Sequence, residues 1–192
     1  GMYMEKSMDH NTYNGAGTLL GTFNAKSKGL GDTRLTGLIR LYDTDMHHIH
    51  LNAGLSLPTG SVTKRDDALT PAGGGTIANL RLPYAMQLGS GTYDLLPGIT
   101  YTGKMNKFSW GAQYMGTFRT GDHNGYTWGD KQEVTSWLAY QWQPWISTSS
   151  RVSYSHEEQI SGTDSTIRAP VQTADPDNYG GDIVNLHFGL NM

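Results

Sequence analysis

The sequence predicts an all-β protein, an antiparallel up-and-down β-barrel of roughly eight strands. Apolar and polar residues alternate along stretches of about ten residues. A strand directs successive side chains to opposite faces, so this alternation is typical of a sheet with one apolar and one polar face. Short turns and long polar loops join the stretches in alternation, and none has a helical period. We expect residues 1–192 to form a single barrel domain.

The first part of the chain contains three predicted strands, Met2–Asp9, Thr33–Tyr42 and His47–Leu57. The segment Thr18–Asn24 either extends the opening strand or forms a hairpin in a loop. In His47–Leu57, apolar side chains from Ile49 to Leu57 alternate with polar ones, and Pro58 ends the strand because proline has no N–H for the ladder.

The second part of the chain continues the pattern after a long loop at 59–91, which has room for a short strand near Leu80–Leu88. The further predicted strands are Thr92–Thr102, Phe108–Arg119, Gln132–Trp142, Ile146–His156 and Asp182–Asn191. Pro97 indicates a bulge within the first of them. Polar loops occupy 120–130 and 157–179.

Composition excludes several classes of function. Charged residues make up 16% of the chain, below the usual quarter, and the net charge of −3 gives no reason to expect a nucleic-acid partner. The chain has no cysteine, which removes disulfides, zinc–thiolate sites and thiol catalysis. No apolar run approaches the roughly 18 residues that a membrane-spanning helix needs.

The distribution of lysine indicates what the polar face contacts. Of the seven lysines, only Lys6 lies within a predicted strand, and the others fall in turns, in loops or at a strand start. The polar faces carry Ser, Thr, Asn, Gln, Gly and some Arg, as expected for a crowded, wet lumen rather than an open sheet surface. The apolar faces would then point outward to lipid.

Aromatic residues at the strand ends favour the same orientation, because two aromatic girdles mark the interfaces of a membrane barrel. The predicted girdle at the short turns is Tyr42, Tyr101, Phe108, Trp110, Trp142 and Trp145. The predicted girdle at the long loops is Tyr93, Phe118, Tyr126, Trp128, Tyr154 and Tyr179. We therefore predict a barrel of outer-membrane type. The alternative is a soluble lipocalin-like barrel or sandwich, whose aromatics form a core or an apolar-ligand pocket.

Four short phrases border the long loops: Gly29–Asp32, Leu55–Ser61, Gln87–Asp94 and Leu95–Tyr101. In this order and spacing they resemble the meta-pathway of phenol degradation family, bacterial outer-membrane β-barrels described as transporters. The resemblance covers about residues 29–192. It implies location in the bacterial outer membrane and passage of small hydrophobic or aromatic compounds. It brings no catalytic residues and no cofactor, so we do not expect an enzyme.

The chain departs from the family at both ends. Members usually begin with a signal peptide and further strands and continue beyond this length, and Asn191-Met192 lacks a terminal aromatic. The chain therefore resembles a shortened or partial member. A partial barrel is expected to close imperfectly or to form a homo-oligomer through its open sheet edges.

Alternation also selects the residues predicted to line a lumen: Arg34, Arg40, Asn52, Asp94, Gln113, Arg119, Glu133 and Arg151. Opposite charges in a narrow barrel favour a plug of ion pairs over acid–base chemistry. His48 and His50, at i and i+2, are a candidate metal pair if Asp45 or Met46 supplies a third ligand, and otherwise are polar lumen residues. Three functions stay open: a channel for small molecules, a soluble binding barrel, and a plugged structural barrel.

Overall fold

The computed structural model of the protein describes residues 2–69, 74–167 and 171–192, and it is all-β with antiparallel sheets. The strands of these residues are β1 (Tyr3–Tyr13), β2 (Leu19–Leu30), β3 (Thr33–Asp43), β4 (His47–Leu57), β5 (Arg65–Leu69), β6 (Thr76–Arg81), β7 (Tyr93–Leu95), β8 (Gly98–Met105), β9 (Phe108–Thr120), β10 (Tyr126–Thr127), β11 (Lys131–Gln143), β12 (Ile146–Glu157), β13 (Ser161–Gly162) and β14 (Gly181–Asn191). Short 3₁₀-helices lie at Tyr84–Met86, Gln172–Ala174 and Pro176–Asn178. Across the described ranges, no helix has the length and apolar character needed to span a membrane.

Eight strands form the main sheet, in the order β14-β12-β11-β9-β7-β4-β3, with β8 also pairing β4 and β9. Strands that follow one another in the chain lie side by side, which confirms the antiparallel up-and-down arrangement. β3 and β14 are the two edges and do not pair with each other in the described residues, so the barrel-like ring is partial. Each strand is antiparallel to its neighbour, and β7 and β8 occupy one position in the sheet. Six antiparallel pairings therefore separate β3 from β14, so the two edge strands run in the same direction.

The predicted strand Thr92–Thr102 is two strands, β7 and β8, separated by Leu96 and Pro97. The ladder continues across the break, because the Leu96 N–H donates to the Gly54 carbonyl (2.9 Å) and the Gly116 N–H donates to the Pro97 carbonyl (2.8 Å). The irregularity expected at Pro97 is therefore present as a break. The other predicted strands of the main sheet are confirmed to within one or two residues.

The opening strand is not part of the main sheet, which corrects its place in the predicted barrel. β1 and β2 pair with each other from Tyr3–Leu30 to Tyr13–Leu19. At their turn the Asn14 side-chain oxygen accepts from the N–H groups of Ala16 (3.0 Å) and Thr18 (2.8 Å). This hairpin is the second of the two alternatives considered for Thr18–Asn24.

The strand expected near Leu80–Leu88 lies further upstream. β6 ends at Arg81 and pairs with β5, and Pro83 precedes the 3₁₀-helix Tyr84–Met86. Proline removes one N–H from the ladder, so extended pairing does not continue through this segment.

The β1–β2 hairpin and the long loops lie over one end of the main sheet and contain the buried apolar core. We call this layer the cap; it comprises residues 2–32, 59–69, 74–91, 121–130, 158–167 and 171–180. One core cluster is Ala25, Leu82 and Met86 with Met8 and Phe23 packed against it. The second is Tyr84, Tyr126 and Ile160 with Trp128, Ile167 and Tyr179. An ion pair between Arg81 and Asp164 (2.7 Å) is buried beside them.

The two faces of the main sheet differ in exposure. In the inner strand β11, the apolar-face side chains Val134 and Leu138 are 50% and 48% exposed, whereas Thr135 on the polar face is 7% exposed. The polar face also buries Ser56 and Asp94. The apolar face therefore does not form a closed internal core in the described structure, and apolar burial is concentrated in the cap.

Candidate functional site

The register places all eight predicted lumen residues on the polar face of the main sheet. A row near the cap runs from Arg34 through Ser56 and Asp94 to Arg119. A second row crosses the whole sheet and contains Arg40, His50, Thr100, Gln113, Thr135, Ser153 and Asn185. Asn52, Glu133 and Arg151 lie in the neighbouring rows of the same face. Whether this face encloses a lumen stays a prediction.

Asp94 and Arg119 form a buried ion pair on this face. A guanidinium nitrogen of Arg119 pairs with Asp94 Oδ2, and the Thr92 hydroxyl donates to Asp94 Oδ1 at 2.7 Å. The Asp94 side chain is 1% exposed and that of Arg119 is 13% exposed. A buried charge is tolerated when it is paired and hydrogen-bonded. Both oxygens of Asp94 accept hydrogen bonds, whereas the buried Nε of Arg119 has no partner among the described residues.

The loop segments that carried the family resemblance meet beside this pair. The Asp32 carboxylate accepts from the Gly60 N–H (2.9 Å) and from the N–H (2.7 Å) and hydroxyl (2.9 Å) of Ser90. A Cβ on Gly60 would lie 2.7 Å from Gly89 Cα, so the two loops approach at distances that require glycine. The sequence pattern thus has a structural role: it joins three loops at the cap end of the polar face.

Two cavities lie along the polar face at this end. The upper cavity, about 700 Å³, lies under the cap and is lined by residues that include Lys6, Asp32, Ser90 and Trp128. The lower cavity, about 480 Å³, lies on the sheet and is lined by Thr36, Leu96, Met115, Gly116, Thr117, Lys131 and Glu133. Both cavities share Arg34, Arg119 and Glu157. Because these three residues come from β3, β9 and β12, the sheet curls around its polar face.

Trp137 is a polar-face residue that the sequence analysis missed. Its ring lies over Gly111, where a Cβ would be 2.2 Å from the indole, and the Arg151 guanidinium lies 5.6 Å from the ring centroid. The sequence could have identified it, because Trp137 lies four residues from Glu133 in β11 and therefore points to the same face. The contact is a cation–π interaction that orders Arg151 on this face.

His48 and His50 share the polar face, but His48 has another partner. Its Nδ1 contacts the Asp43 carboxylate, which also accepts from Arg40 at 2.5 Å. In the part of the chain that the structure describes, no three His, Asp or Glu side chains are grouped to hold a metal ion. For the predicted metal pair, the structure thus shows that His48 contacts Asp43, and it shows no group of three potential ligands among the described residues.

The predicted girdle at the short turns lies at the expected end of the sheet, and two of its rings contact Tyr140, which the prediction did not include. Phe108 and Tyr140 have ring centroids 4.7 Å apart, and Tyr140 and Trp142 4.6 Å apart. The Trp142 indole N–H donates to the Thr148 hydroxyl at 3.0 Å. Tyr42, Trp142 and Trp145 are exposed. Such rings have an apolar body and a polar edge, which suits a membrane interface.

The predicted girdle at the long loops is half wrong. Tyr93 and Tyr154 are exposed on the sheet, but Tyr126, Trp128 and Tyr179 pack inside the cap. Burial raises the pKa of Tyr126 to about 12. The reason is that the long loops carry enough apolar residues to build a core of their own, which sequence periodicity does not reveal.

The predicted positions of the lysines also need correction. Lys26 and Lys28 lie in β2 and Lys104 lies in β8, whereas Lys131 begins β11 as expected. The two in β2 are exposed on the outer face of the cap hairpin, outside the main sheet. In the main sheet, lysine is confined to strand ends.

The chain matches no family model and no curated protein. The resemblance to the meta-pathway of phenol degradation family therefore stays a prediction.

Proposed function

We propose that the protein is a β-barrel channel or transporter of the bacterial outer membrane, with lipid on the apolar face and small-molecule solutes passing along the polar face. The observation that carries this proposal is the inverted burial of the main sheet. In the central strand β11, Val134 and Leu138 are open while Thr135 on the opposite face is enclosed, as is Asp94. Apolar surface is worth about 25 cal/mol per Å² when removed from water, so a lipid environment stabilises this face.

Strand length and hydrogen bonding support the same proposal. β3, β4 and β14 have 11 residues each, β12 has 12, and β9 and β11 have 13. A tilted strand needs about 9–11 residues to cross a bilayer. The inner strands of the sheet pair on both sides, as a bilayer requires of backbone groups.

The edge strands need partners in lipid, and we propose that copies of this chain associate through them. β3 and β14 run in the same direction, so copies inserted in one orientation would join β14 of one copy to β3 of the next in a parallel pair. Parallel pairing is slightly less stable per residue than antiparallel pairing, but it satisfies the exposed N–H and C=O groups.

A plugged structural barrel is the second candidate, favoured by the buried Asp94–Arg119 pair beneath the cap. Both candidates predict a β circular dichroism spectrum that requires detergent or lipid. Solute-induced swelling of liposomes separates them, because the channel admits small sugars or amino acids and the plug does not. A cooperatively folded monomer in plain buffer would contradict both and favour the lipocalin-like alternative.

A further inference from the structure

We infer that Arg34 and Glu157 set the selectivity of the proposed passage, at a charge-balanced constriction that favours small zwitterionic solutes over ions of either sign. This inference rests on the proposed channel function. It begins from the two cavities of about 700 and 480 Å³, whose linings have Arg34, Arg119 and Glu157 in common. A solute moving from the cap to the sheet would pass these three side chains.

Several charged side chains lie where the two cavities meet, which we call the junction, and some of them already have partners within the protein. Arg119 is held by Asp94, and the Asp32 carboxylate accepts from Gly60 and Ser90. The Lys6 ammonium donates to the backbone carbonyls of Ala85 (2.9 Å) and Gln87, and burial lowers its pKa. Asp32 and Lys6 therefore build the walls and have little remaining capacity for a solute. Arg119 has its charge balanced by Asp94, although its buried Nε has no hydrogen-bond partner among the described residues.

The remaining charges are balanced in number. Among the described residues, Arg34, Lys131, Glu133 and Glu157 have no ion-pair partner, and all four line the lower cavity. Two are cationic and two anionic, so a simple ion meets as much repulsion as attraction. A small zwitterion satisfies both signs, because its carboxylate can face Arg34 and its ammonium can face Glu157.

Charge-reversal variants in planar lipid bilayers test this inference. Under a salt gradient, the wild-type protein is expected to show little preference between cation and anion. Arg34→Glu should give a severalfold rise in the cation-to-anion permeability ratio, and Glu157→Lys should give a severalfold fall. In liposome swelling, glycine should enter the wild-type channel faster than acetate or methylammonium.

Matched controls lie in the cap outside both cavities. Arg65→Glu and Glu158→Lys make the same charge changes at exposed positions and should leave the permeability ratio at the wild-type value. If the wild type conducts but Arg34→Glu and Glu157→Lys leave the permeability ratio unchanged, as the controls do, the inference is overturned and the proposed channel function is retained. If the wild type neither conducts nor swells liposomes, the proposed channel itself fails.

A second measurement covers the case in which a charge reversal prevents folding. The chain has no cysteine, so Thr117→Cys in the lower cavity supplies a single thiol. Modification with a cationic methanethiosulfonate should shift the permeability ratio towards anions, and an anionic reagent should shift it towards cations. Equal effects of the two reagents would overturn the inference.

Discussion

The β1–β2 hairpin and the β11–β12 hairpin have the same alternating pattern and opposite exposure. In β1–β2 the apolar side chains of Met8 and Phe23 face the cap core, and the exposed face carries charges such as Glu5 and Lys28. In β11–β12 the exposed face is apolar, and the polar face is more enclosed.

The difference teaches how to assign an environment to an alternating strand. Alternation reveals that two faces exist, but the packing of the rest of the chain decides which face is covered. The exposed face of β1–β2 carries Glu5, Asp9, Lys26 and Lys28, as suits water. The polar face of β11–β12 carries as many charges, Lys131, Glu133, Arg151 and Glu157, among Ser, Thr and Gln, yet it is the more enclosed face of its hairpin. The two hairpins thus expose opposite kinds of face, which supports the proposed contact of the main sheet with lipid.

Loss of one partner of the enclosed ion pair should produce the largest effect. Asp94→Asn leaves the Arg119 guanidinium buried without its counter-charge, and we expect a loss of about 3–5 kcal/mol in unfolding free energy. Denaturation in lipid or detergent measures it. Asp43→Asn, in an exposed pair with Arg40, is the control and should change little. Equal effects of the two substitutions would mean that the polar face is not an interior.

The cap core should respond separately from the sheet. Met86→Ala removes a buried side chain packed against Ala25 and Leu82, at an expected cost of about 2–5 kcal/mol. Because the lost contacts lie in the cap, hydrogen exchange should rise in the cap while β9, β11 and β12 stay protected. A uniform rise in exchange throughout the chain would show that cap and sheet unfold as one unit.

A charge on the apolar face tests the lipid assignment. Leu138→Arg near the middle of β11 should cost about 2–4 kcal/mol in a bilayer, because arginine is unfavourable at midplane depth on a lipid-facing strand. Lys28→Glu on the outer face of β2 is the contrasting change and should be nearly neutral. Folding assays in lipid vesicles compare the two, and a neutral Leu138→Arg would place that face in water.

Lowering the pH should destabilise the cap, and this is the smallest of the expected effects on stability. Burial opposes ionisation of Asp164, but hydrogen bonds from Thr166 and the charge of Arg81 outweigh it and hold the pKa of this carboxyl below its ordinary value. Its stabilisation is therefore present above the unfolded-state pKa of about 3.9 and is lost as pH falls through the lower folded-state pKa. Hydrogen exchange in the cap should increase over that range, and Asp164→Asn should remove this dependence.

The main-sheet strands were predictable because their signals are local. Alternation fixes the face of each residue, and Pro58 and the turn at 143–146 fix where strands end. The eight polar-face candidates follow from parity alone, and Trp137 would have followed from the same rule.

The cap and the ring closure were not predictable in this way. The contacts of Tyr84 with Tyr126 and of Arg81 with Asp164 join loops that are distant in sequence and have no period. Similar strand lengths did not reveal that β1 pairs with β2 alone, because pairing partners depend on the packing of the cap. The break at Pro97 supplied the eighth strand of the sheet instead.

Two neighbouring serines of β12 test the central claim most directly. Ser149 lies on the polar face beside Ala139 and Gly189, and Ser150 lies on the apolar face beside Leu138 and Phe188. In lipid vesicles, Ser149→Cys should react with a water-soluble maleimide, and Ser150→Cys should react only with a lipid-soluble one. Rapid reaction of Ser150→Cys with the water-soluble reagent, and protection of Ser149→Cys, would contradict a sheet that faces lipid with its apolar side.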